Sequence, residues 1–196
     1  MIEILIASHN QHKIKELRKI LDHSEIKLIS LLDINEKDDV LEDGETFFEN
    51  ALIKAKYFAN KHHVTTISDD SGLIVDALDG RPGIYSARYS GNGDYENNLK
   101  ILNELENIEN RRAHFVCEIV LCYPNGVYKS FSGEVHGYIA NEIKGDHGFG
   151  YDTIFYVPEY QKTFGELDDD IKNRISHRAN ALKLLKERID EIINHK

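Results

Sequence analysis

The stretch from Thr65 to Val75 places two adjacent acids and a glycine between short runs of β-forming side chains. We expect two short strands here, joined by a turn that contains Asp69, Asp70 and Gly72. Two neighbouring carboxylates are costly to hold together unless they share a cation or a proton. We therefore interpret this stretch as a working site around which the rest of the chain is arranged.

Other interpretations of the same residues imply a different fold or a different spacing. The run Asp70-Ser71-Gly72 also matches the catalytic turn of aspartic proteases, but that fold is all-β and this chain is predicted to contain helices. Phosphotransferases with an aspartyl nucleophile carry Asp-x-Asp rather than adjacent acids, which argues against that class. A polar hairpin turn with solvated acids remains an open interpretation of the stretch taken alone.

Length and composition are those of an ordinary globular protein. The chain has 196 residues, of which 41% are hydrophobic and 30% are charged. We expect a single domain over residues 1–196, with room for at most two small lobes sharing a cleft. The formal net charge of -10 argues against nucleic acid or an anionic membrane surface as the main partner. A small anion can still bind in a local basic pocket.

The cysteines and the hydropathy pattern bear on the compartment. Cys117 and Cys122 have an odd separation along one predicted strand, so they point to opposite faces and no disulfide between them is expected. The start of the chain lacks the basic region and long apolar run of a signal peptide, and no window approaches the roughly 20 apolar residues of a membrane helix. We therefore expect a cytoplasmic protein with no membrane partner.

The first strand and the helix after it form a candidate anion site. Residues 2–7 are predicted to form a buried strand, and apolar residues at helical spacing predict a helix over 14–21. Ser8, Asn10 and Lys13 lie between them, where backbone N–H groups at a helix start can bind phosphate. No P-loop motif is present, and an ordinary strand-to-helix turn explains these residues equally well.

A second helix is predicted from Thr46 to about Lys61. Thr46 and Glu49 have the spacing of a capping box at its start. Asn50 and Lys54 lie four residues apart on one face, beside the apolar stripe of the helix. A lysine there either extends its ammonium group to water or points into a cleft, and the sequence leaves both open.

The remaining elements follow from periodicity and from turn residues. Residues 78–91 form a long irregular segment, and Asp94 is predicted to cap the helix after it. Two long strands over 113–123 and 126–140 are predicted to pair through a hairpin at 124–126. Shorter elements are predicted at 25–30 and 154–157 (strands), 163–167 (helical turn) and 175–192 (final helix).

Two further segments carry candidate ligand-binding residues. Three glycines surround Phe149 and Tyr151 within residues 145–152, which suits a flat ligand that approaches the backbone closely. The Gly-x-Gly order of a dinucleotide fingerprint is absent, so no Rossmann cofactor site is predicted. His177 and Arg178 lie in the first turn of the final helix, where the dipole disfavours cations. They indicate an anionic or acceptor-rich ligand, with a solvated basic turn as the alternative.

Six short motifs are distributed along the chain, from the first strand to the last helix. They are Ser8-His9-Asn10-Gln11-His12-Lys13, Thr46-Phe47-Phe48-Glu49-Asn50-Ala51 with Lys54, Ser68-Asp69-Asp70-Ser71-Gly72, Pro82-Gly83-Ile84-Tyr85-Ser86-Ala87-Arg88-Tyr89, Phe149-Gly150-Tyr151-Asp152 and Ile175-Ser176-His177-Arg178-Ala179. In this order and spacing they closely resemble the inosine triphosphate pyrophosphatase family. Members of that family hydrolyse non-standard purine nucleoside triphosphates such as those of inosine, deoxyinosine and xanthosine (ITP, dITP and XTP).

The resemblance implies an α/β fold with an elongated mixed central β-sheet flanked by helices, and two lobes with an active-site cleft between them. It also implies a homodimer that uses Mg²⁺. By matching motif, Asp70 would be the catalytic acid/base, and Glu42, Asp70 and Asp69 would be the metal carboxylates. The triphosphate would be bound by Ser8, Asn10, Lys13, Lys54 and Ser71, with His9, Gln11 and His12 in the same substrate-binding segment. The base and sugar would be bound by Phe149, Gly150, Tyr151, Asp152, Lys172, His177 and Arg178.

The implied chemistry is consistent with the residue types. A triphosphate with Mg²⁺ needs hard carboxylate oxygens for the ion and lysines for the remaining phosphate charge. Attack of a carboxylate-oriented water on the α-phosphorus would release a nucleoside monophosphate and pyrophosphate.

Two alternatives stay open. One is a pyrophosphatase of a related fold that acts on pyrimidine or modified nucleotides, and the other is a nucleotide-binding module without hydrolysis. The adjacent acids Asp69 and Asp70 argue against a pure binder, because extra negative charge repels a triphosphate unless a metal is bound. Residues 149–152 with His177 and Arg178 favour purines.

Overall fold

The computed structural model describes residues 2–194, which form a seven-stranded mixed sheet flanked by helices, as predicted. The strands are β1 (Ile2–Ile6), β2 (Ile26–Ser30), β3 (Thr65–Val75), β4 (Arg112–Cys122), β5 (Tyr128–Ile139), β6 (Phe155–Val157) and β7 (Lys162–Thr163). The helices are α1 (Gln11–Ile20), α2 (Phe47–His62), α3 (Asp94–Glu104), α4 (Asp169–Ile175), α5 (His177–Glu187) and α6 (Ile189–Ile193). Short 3-10 helices cover Asp76–Leu78, Gly83–Arg88 and Phe164–Glu166.

The strand order of the sheet is β2-β1-β3-β4-β5-β6-β7. β1 pairs in parallel with β2 and with β3, whereas β6 pairs antiparallel with β5 and β7. Ile6 lies opposite Ile67 in the pairing of β1 with β3. Because these two strands run in the same direction, the polar residues that follow β1 lie beside Asp69 on β3.

The chain folds into two compact units. Among the described residues, the first unit comprises 2–70, 117–133 and 180–194, and the second comprises 71–116 and 134–179. Strands β3, β4 and β5 contribute residues to both units. The single domain expected from the sequence and the cleft between lobes stay predictions. None of the helices within residues 2–194 has the length and apolar character needed to span a membrane.

The core of the first unit lies on both faces of its strands. Ile4 and Ile67 pack in a cluster with residues of α1 and α5, whereas Leu5 packs with Phe58 of α2. Adjacent residues of β1 therefore enter different clusters, as strand alternation requires. The same rule holds in β4, where Cys117 and Cys122 are free, buried and in different clusters, as their spacing predicts.

The hairpin expected within residues 65–75 is wrong, because β3 is one continuous strand through Asp69, Asp70 and Gly72. The sequence offered turn-forming residue types there, but β3 continues through them as a central strand of the sheet, between β1 and β4. The hairpin at 124–126 is present, with Gly126 in the left-handed region at φ +84 and the N–H of Tyr123 donating to the Val127 carbonyl at 2.8 Å.

The single final helix expected over residues 175–192 is also wrong, because α4, α5 and α6 divide this segment. Ser176 is extended, with φ -67 and ψ 160, and its Oγ accepts the N–H of Ala179 at 3.2 Å. Ser176 therefore caps a new helix instead of continuing the old one. Likewise, Asp94 is the first residue of α3 and not its cap, which is Gly93.

Candidate active site

The turn after β1 is organised by the side chain of Asn10. Its Oδ1 accepts the N–H of His12 at 2.9 Å and the N–H of Lys13 at 3.3 Å, which caps the start of α1. The N–H of Asn10 in turn donates to Ser8 Oγ at 3.1 Å. His9 points elsewhere, with its Nε2 at 2.9 Å from the Glu36 carbonyl. The predicted phosphate segment is thus the capped N-terminus of a helix, an arrangement that favours anions.

Lys13 lies against β3. Its Nζ is 3.1 Å from Asp69 Oδ2, and the two side chains are 17% and 1% exposed. A carboxylate buried to this degree requires a partner of opposite charge, and Lys13 supplies it. Since successive side chains of a strand point to opposite faces, Asp69 and Asp70 do not face each other. The two carboxylates therefore do not need a shared cation to offset their mutual repulsion.

Asp70 is held from the α2 side by Asn50. The Nδ2 of Asn50 donates to Asp70 Oδ2 at 3.1 Å, and the N–H of Gly44 donates to Asn50 Oδ1 at 2.9 Å. Asn50 is 1% exposed. A Cβ on Gly44 would lie 2.8 Å from Asn50 Oδ1, so only glycine permits this approach. Asn50 therefore connects the acidic loop before α2 to the Asp70 carboxylate.

The sequence left open whether the Lys54 ammonium group extends into water or points into the protein. Its Nζ lies 2.8 Å from Glu42 Oε1, and its side chain is only 14% exposed. The lysine therefore points at the acidic loop instead of extending into water. Burial by itself lowers the pKa of Lys54, but the Glu42 and Asp69 carboxylates outweigh it and the net pKa is raised. Lys54 is held in its charged form.

Opposing charges surround the Asp70 carboxyl. Burial raises the pKa of Asp70, Lys13 and Lys54 lower it, and the Glu42 carboxylate raises it again, with a net upward shift. A carboxyl group with a raised pKa and defined charged neighbours is a common feature of acid/base sites. Asp70 thus has the surroundings of a carboxyl group that can take up a proton.

A second group of predicted site residues lies in the second unit and is centred on Asp152. Lys172 Nζ lies 2.6 Å from Asp152 Oδ2, and both side chains are at most 5% exposed. The N–H of Phe149 donates to the same oxygen at 2.8 Å. A Cβ on Gly148 would lie 2.0 Å from Asp152 Oδ2, and the φ of Gly148 is +80. The loop therefore folds around a buried carboxylate that only a glycine at 148 can accommodate.

The aromatic ring of Phe149 lies close to two cations. Lys172 Nζ is 4.6 Å from the ring centroid, and Arg178 Cζ is 5.8 Å from it. Arg178 is 1% exposed, and its Nη2 donates to Ser71 Oγ at 3.0 Å. Ser71, predicted to bind phosphate, is thereby grouped with residues predicted to bind the base. Lys172 and Arg178 thus place N–H donors beside the flat ring of Phe149.

Two predicted residues in this unit contribute to packing. The His177 ring stacks on Phe115 with centroids 4.7 Å apart. Tyr151 is 3% exposed and its hydroxyl donates to the Ser86 carbonyl at 2.7 Å. Tyr151 therefore does not offer an exposed ring to a flat ligand, because its hydroxyl is bound inside the protein.

Sequence reasoning singled out the position of Asn50 but gave it no role in the site. The signal was its spacing of four from Lys54 on one face of α2, which places both side chains on the same side of the helix. Its partners could not be read from the sequence, because Gly44 and Asp70 lie in other elements.

Comparison with known proteins identifies the family. The model of the Ham1 family matches residues 4–188 of the chain. The chain belongs to the Ham1 family. A relative in Geobacter sulfurreducens, named dITP/XTP pyrophosphatase, is 48% identical over 193 residues, which are 96% of this chain and 97% of that protein. A Bacillus subtilis relative of the same name is 45% identical over 194 residues, covering 97% of this chain and 98% of that protein.

Solved Ham1 structures show the same fold. The Staphylococcus aureus Ham1 protein has a TM-score of 0.88 and 45% identity, covering 97% of this chain and 99% of that one. A Ham1 protein from Coxiella burnetii has a TM-score of 0.89 and 41% identity, covering 97% of this chain and 100% of that one. The family resemblance and the fold class inferred from the sequence motifs are confirmed.

Proposed function

We propose that this Ham1 chain hydrolyses the non-standard purine nucleotides ITP, dITP and XTP to the nucleoside monophosphate and pyrophosphate. The observation that carries the proposal is the set of buried or half-buried carboxylates and lysines in the first unit, where Lys54 interacts with Glu42, Asp69 and Asp70. The names of the relatives support it. They also confirm the expectation, drawn from the sequence, of a nucleoside triphosphate pyrophosphohydrolase.

Asp70 is the proposed general base. Its carboxylate accepts a proton from water while the water oxygen forms a bond to the α-phosphorus. The bond from that phosphorus to the oxygen bridging it to the β-phosphate breaks, and pyrophosphate leaves. Burial raises the pKa of Asp70 against the effect of Lys13 and Lys54, which makes the carboxylate a stronger base. Asn50 fixes its orientation.

The triphosphate is assigned to the cations and donors of the first unit. Lys13 and Lys54 supply positive charge, and the N-terminus of α1 supplies backbone N–H groups. Ser8 supplies a hydroxyl group. The Oδ1 of Asn10 is committed to the helix cap, which leaves its Nδ2 as the group that donates to phosphate.

Mg²⁺ is the proposed cofactor, and the residues present suit it. Glu42 and Asp70 offer hard carboxylate oxygens, and the Glu42 carboxylate raises the pKa of Asp70; Asp69 precedes Asp70 directly in the sequence. No three His, Cys, Asp or Glu side chains converge on one point within residues 2–194. In proteins Mg²⁺ is usually bound by one or two carboxylates and completes its coordination with phosphates and water. When bound, the ion would neutralise phosphate charge.

Recognition of the base is assigned to the second unit. Phe149 offers a flat surface, and Arg178, Lys172 and His177 offer hydrogen-bond donors. Hypoxanthine and xanthine carry an acceptor oxygen at position 6, where adenine carries an amino donor. The Arg178 guanidinium can only donate, so adenine would leave buried donors unpaired at about 1–3 kcal/mol per group. Donor and acceptor matching thus accounts for discrimination against adenine, whereas guanine carries the same acceptor oxygen at position 6.

The remaining parts of the proposal concern assembly and location. We propose a homodimer that acts in the cytoplasm on nucleotides, with neither nucleic acid nor a membrane as a partner. The net charge of -10 supports the exclusion of polyanionic partners. The dimer is tested by sedimentation, which should give twice the chain mass of 22.5 kDa.

Initial rates of pyrophosphate release test the function. Wild-type chain is incubated with Mg²⁺ and ITP, dITP, XTP, ATP, GTP, CTP or UTP at equal concentration. We expect the first three to be hydrolysed at least tenfold faster than the others. Faster release from CTP or UTP would favour a pyrimidine enzyme instead. Nucleotide binding without release from any substrate would favour the binding module.

A further inference from the structure

Helix α3 holds the backbone of Gly150 from both sides. The N–H of Gly150 donates to Asp94 Oδ2 at 2.7 Å, and the Gly150 carbonyl accepts from Asn98 Nδ2 at 2.8 Å. Both polar groups of one residue are thus bound by two side chains of a single helix, separated from it by more than 50 residues of sequence. We refer to Asp94 and Asn98 as the Gly150 clamp.

The clamp is built into α3 with little freedom. Asp94 and Asn98 are four residues apart, so they share one face of the helix. Asn98 is 3% exposed, and its Nδ2 also donates to the Asp94 carbonyl at 2.7 Å. These two bonds fix the orientation of the amide. Asp94 is exposed, and the N-cap position of α3 belongs to Gly93, so the Asp94 side chain is not the helix cap and its carboxylate accepts from the loop.

Gly150 is the point at which the loop requires such support. Its φ is +62, in the left-handed region, and a Cβ there would meet nothing within 4 Å. Glycine is therefore required for its backbone conformation rather than for space. Glycine is also the most flexible type of residue, so its two hydrogen bonds to α3 add restraint at this point of the loop.

The position of Phe149 depends on this restraint. Phe149 precedes Gly150 directly, and its ring lies 4.6 Å from Lys172 Nζ. The N–H of Phe149 is bound on the other side by Asp152. The backbone of Phe149 is thus held by Asp152, and the backbone of the next residue by the Gly150 clamp. Loss of either contact would shift the Phe149 ring relative to Lys172 and Arg178.

We propose that Asp94 and Asn98 are positioning residues that set the selectivity of the enzyme for the purine base by holding Phe149 through Gly150. This inference rests on the proposed function, because selectivity is defined only for a working nucleotide hydrolase. Neither residue touches the substrate. Their effect is on the geometry of the surface that does, where a displacement of about 1 Å changes rates by up to roughly 10²-fold.

Three variants test the clamp. Asp94→Ala removes the acceptor for the Gly150 N–H, and the fold should tolerate it because Asp94 is exposed. Asp94→Asn retains an oxygen acceptor of the same size. Glu96→Ala is the matched control, because Glu96 is an exposed acid in the same first turn of α3. It removes the same charge near the helix N-terminus and leaves the clamp intact.

The steady-state constants for ITP and ATP and the NMR signal of the Gly150 amide proton are measured for each variant. We expect Asp94→Ala to raise KM for ITP about tenfold, with little change in kcat, and to lower the ITP-to-ATP ratio of kcat/KM by a similar factor. The downfield amide signal expected of a hydrogen bond to carboxylate should disappear. Asp94→Asn should restore most of the ratio, and Glu96→Ala should match the wild type.

An unchanged ratio in Asp94→Ala would overturn the positioning role, whether or not the amide signal moves. An equal loss in Glu96→Ala would overturn it as well, because the effect would then belong to the helix charge. Both results differ from failure of the proposed function, which would appear as a wild-type chain that releases no pyrophosphate from ITP.

Discussion

The Asp70 carboxylate combines burial, two nearby lysines and a directed hydrogen bond from Asn50. Burial raises the pKa of Asp70, while Lys13 and Lys54 lower it. The carboxylate is therefore a base that is poorly hydrated but still close to two positive charges. A metal ion bound with the triphosphate would stabilise the negative charge of such a carboxylate. The same residue can thus serve binding and proton transfer, and a substitution can separate these roles.

Asp70→Asn should abolish turnover of ITP while nucleotide binding survives. The amide keeps the size of the side chain but removes the negative charge and the capacity to accept a proton, a change that costs general-base enzymes about 10²- to 10⁴-fold. Turnover is measured as pyrophosphate release, and binding by equilibrium dialysis of labelled ITP. A circular dichroism spectrum equal to that of the wild type confirms the fold. A variant that keeps most of its activity would contradict the role of Asp70 as base.

Asn50→Ala should lower kcat about tenfold with a smaller effect on KM. The variant removes the donor to Asp70 and the acceptor for the Gly44 N–H, which leaves buried groups unpaired at about 1–3 kcal/mol. Asn60→Ala is the control, because Asn60 lies on the same helix but is exposed. Steady-state kinetics and urea unfolding of both variants separate activity from stability. Loss of stability with unchanged kcat would assign Asn50 to the fold alone.

Helix α2 is stabilised at its start by a capping box and near its end by ion pairs. The capping box of Thr46 and Glu49 closes its start. Near its end, Lys61 Nζ lies 2.7 Å from Glu36 Oε2 and 2.5 Å from Asp38 Oδ2. The hydrogen bond from Lys61, followed by the N–H of Asp38, lowers the pKa of Glu36 to about 2. The ion pairs of Lys61 with Glu36 and Asp38 thus hold the loop before α2 against the end of that helix.

This contact should make stability depend on pH in acid. The pKa of Glu36 falls from 4.5 to about 2 on folding, so the unfolded chain binds a proton first and stability is lost as the pH falls from 4.5 to about 2. Lys61→Met should therefore destabilise the chain more at pH 7 than at pH 2.5. Lys37→Met, which removes an exposed lysine, is the control in urea unfolding at both pH values. An equal cost at both would contradict the linkage.

Sequence reasoning succeeded where the determining chemistry is local. The start of α2 followed from Thr46 and Glu49 because a capping box involves only neighbouring residues. The break at Ser176 was missed, since apolar residues continue at helical spacing on both sides of it. The contact of Asp94 with Gly150 spans 56 positions, and no local pattern encodes it. Long-range contacts thus account for the missed contact of Asp94, whereas the break at Ser176 is a local cap that the apolar periodicity masked.

The whole molecule carries a net charge of -10 and yet is assigned a triphosphate substrate. Lys13 and Lys54 in the first unit and Lys172 in the second each pair with a carboxylate group, and Arg178 in the second unit is buried. The acidic remainder does not oppose triphosphate binding at these lysines, because salt screens charges beyond about 8 Å. The two groups of residues should therefore make separable contributions to catalysis.

Lys54→Ala and Arg178→Ala should show this separation. Lys54→Ala should lower kcat/KM for ITP and ATP by the same factor, because every nucleotide carries the triphosphate. Arg178→Ala should lower it roughly 10- to 100-fold for ITP and far less for ATP, since only hypoxanthine offers an acceptor to the guanidinium. Thermal melting of each variant controls for folding. A uniform loss in Arg178→Ala would show that Arg178 acts on phosphate or on structure.

Hydrolysis of ITP in ¹⁸O-labelled water tests the central claim, that water attacks the α-phosphorus. The wild-type chain is allowed to turn over ITP with Mg²⁺, and the products are analysed by mass spectrometry. The account predicts one ¹⁸O atom in inosine monophosphate and none in pyrophosphate, because the new bond forms at the α-phosphorus. Label in pyrophosphate, or inosine diphosphate with labelled orthophosphate, would contradict it.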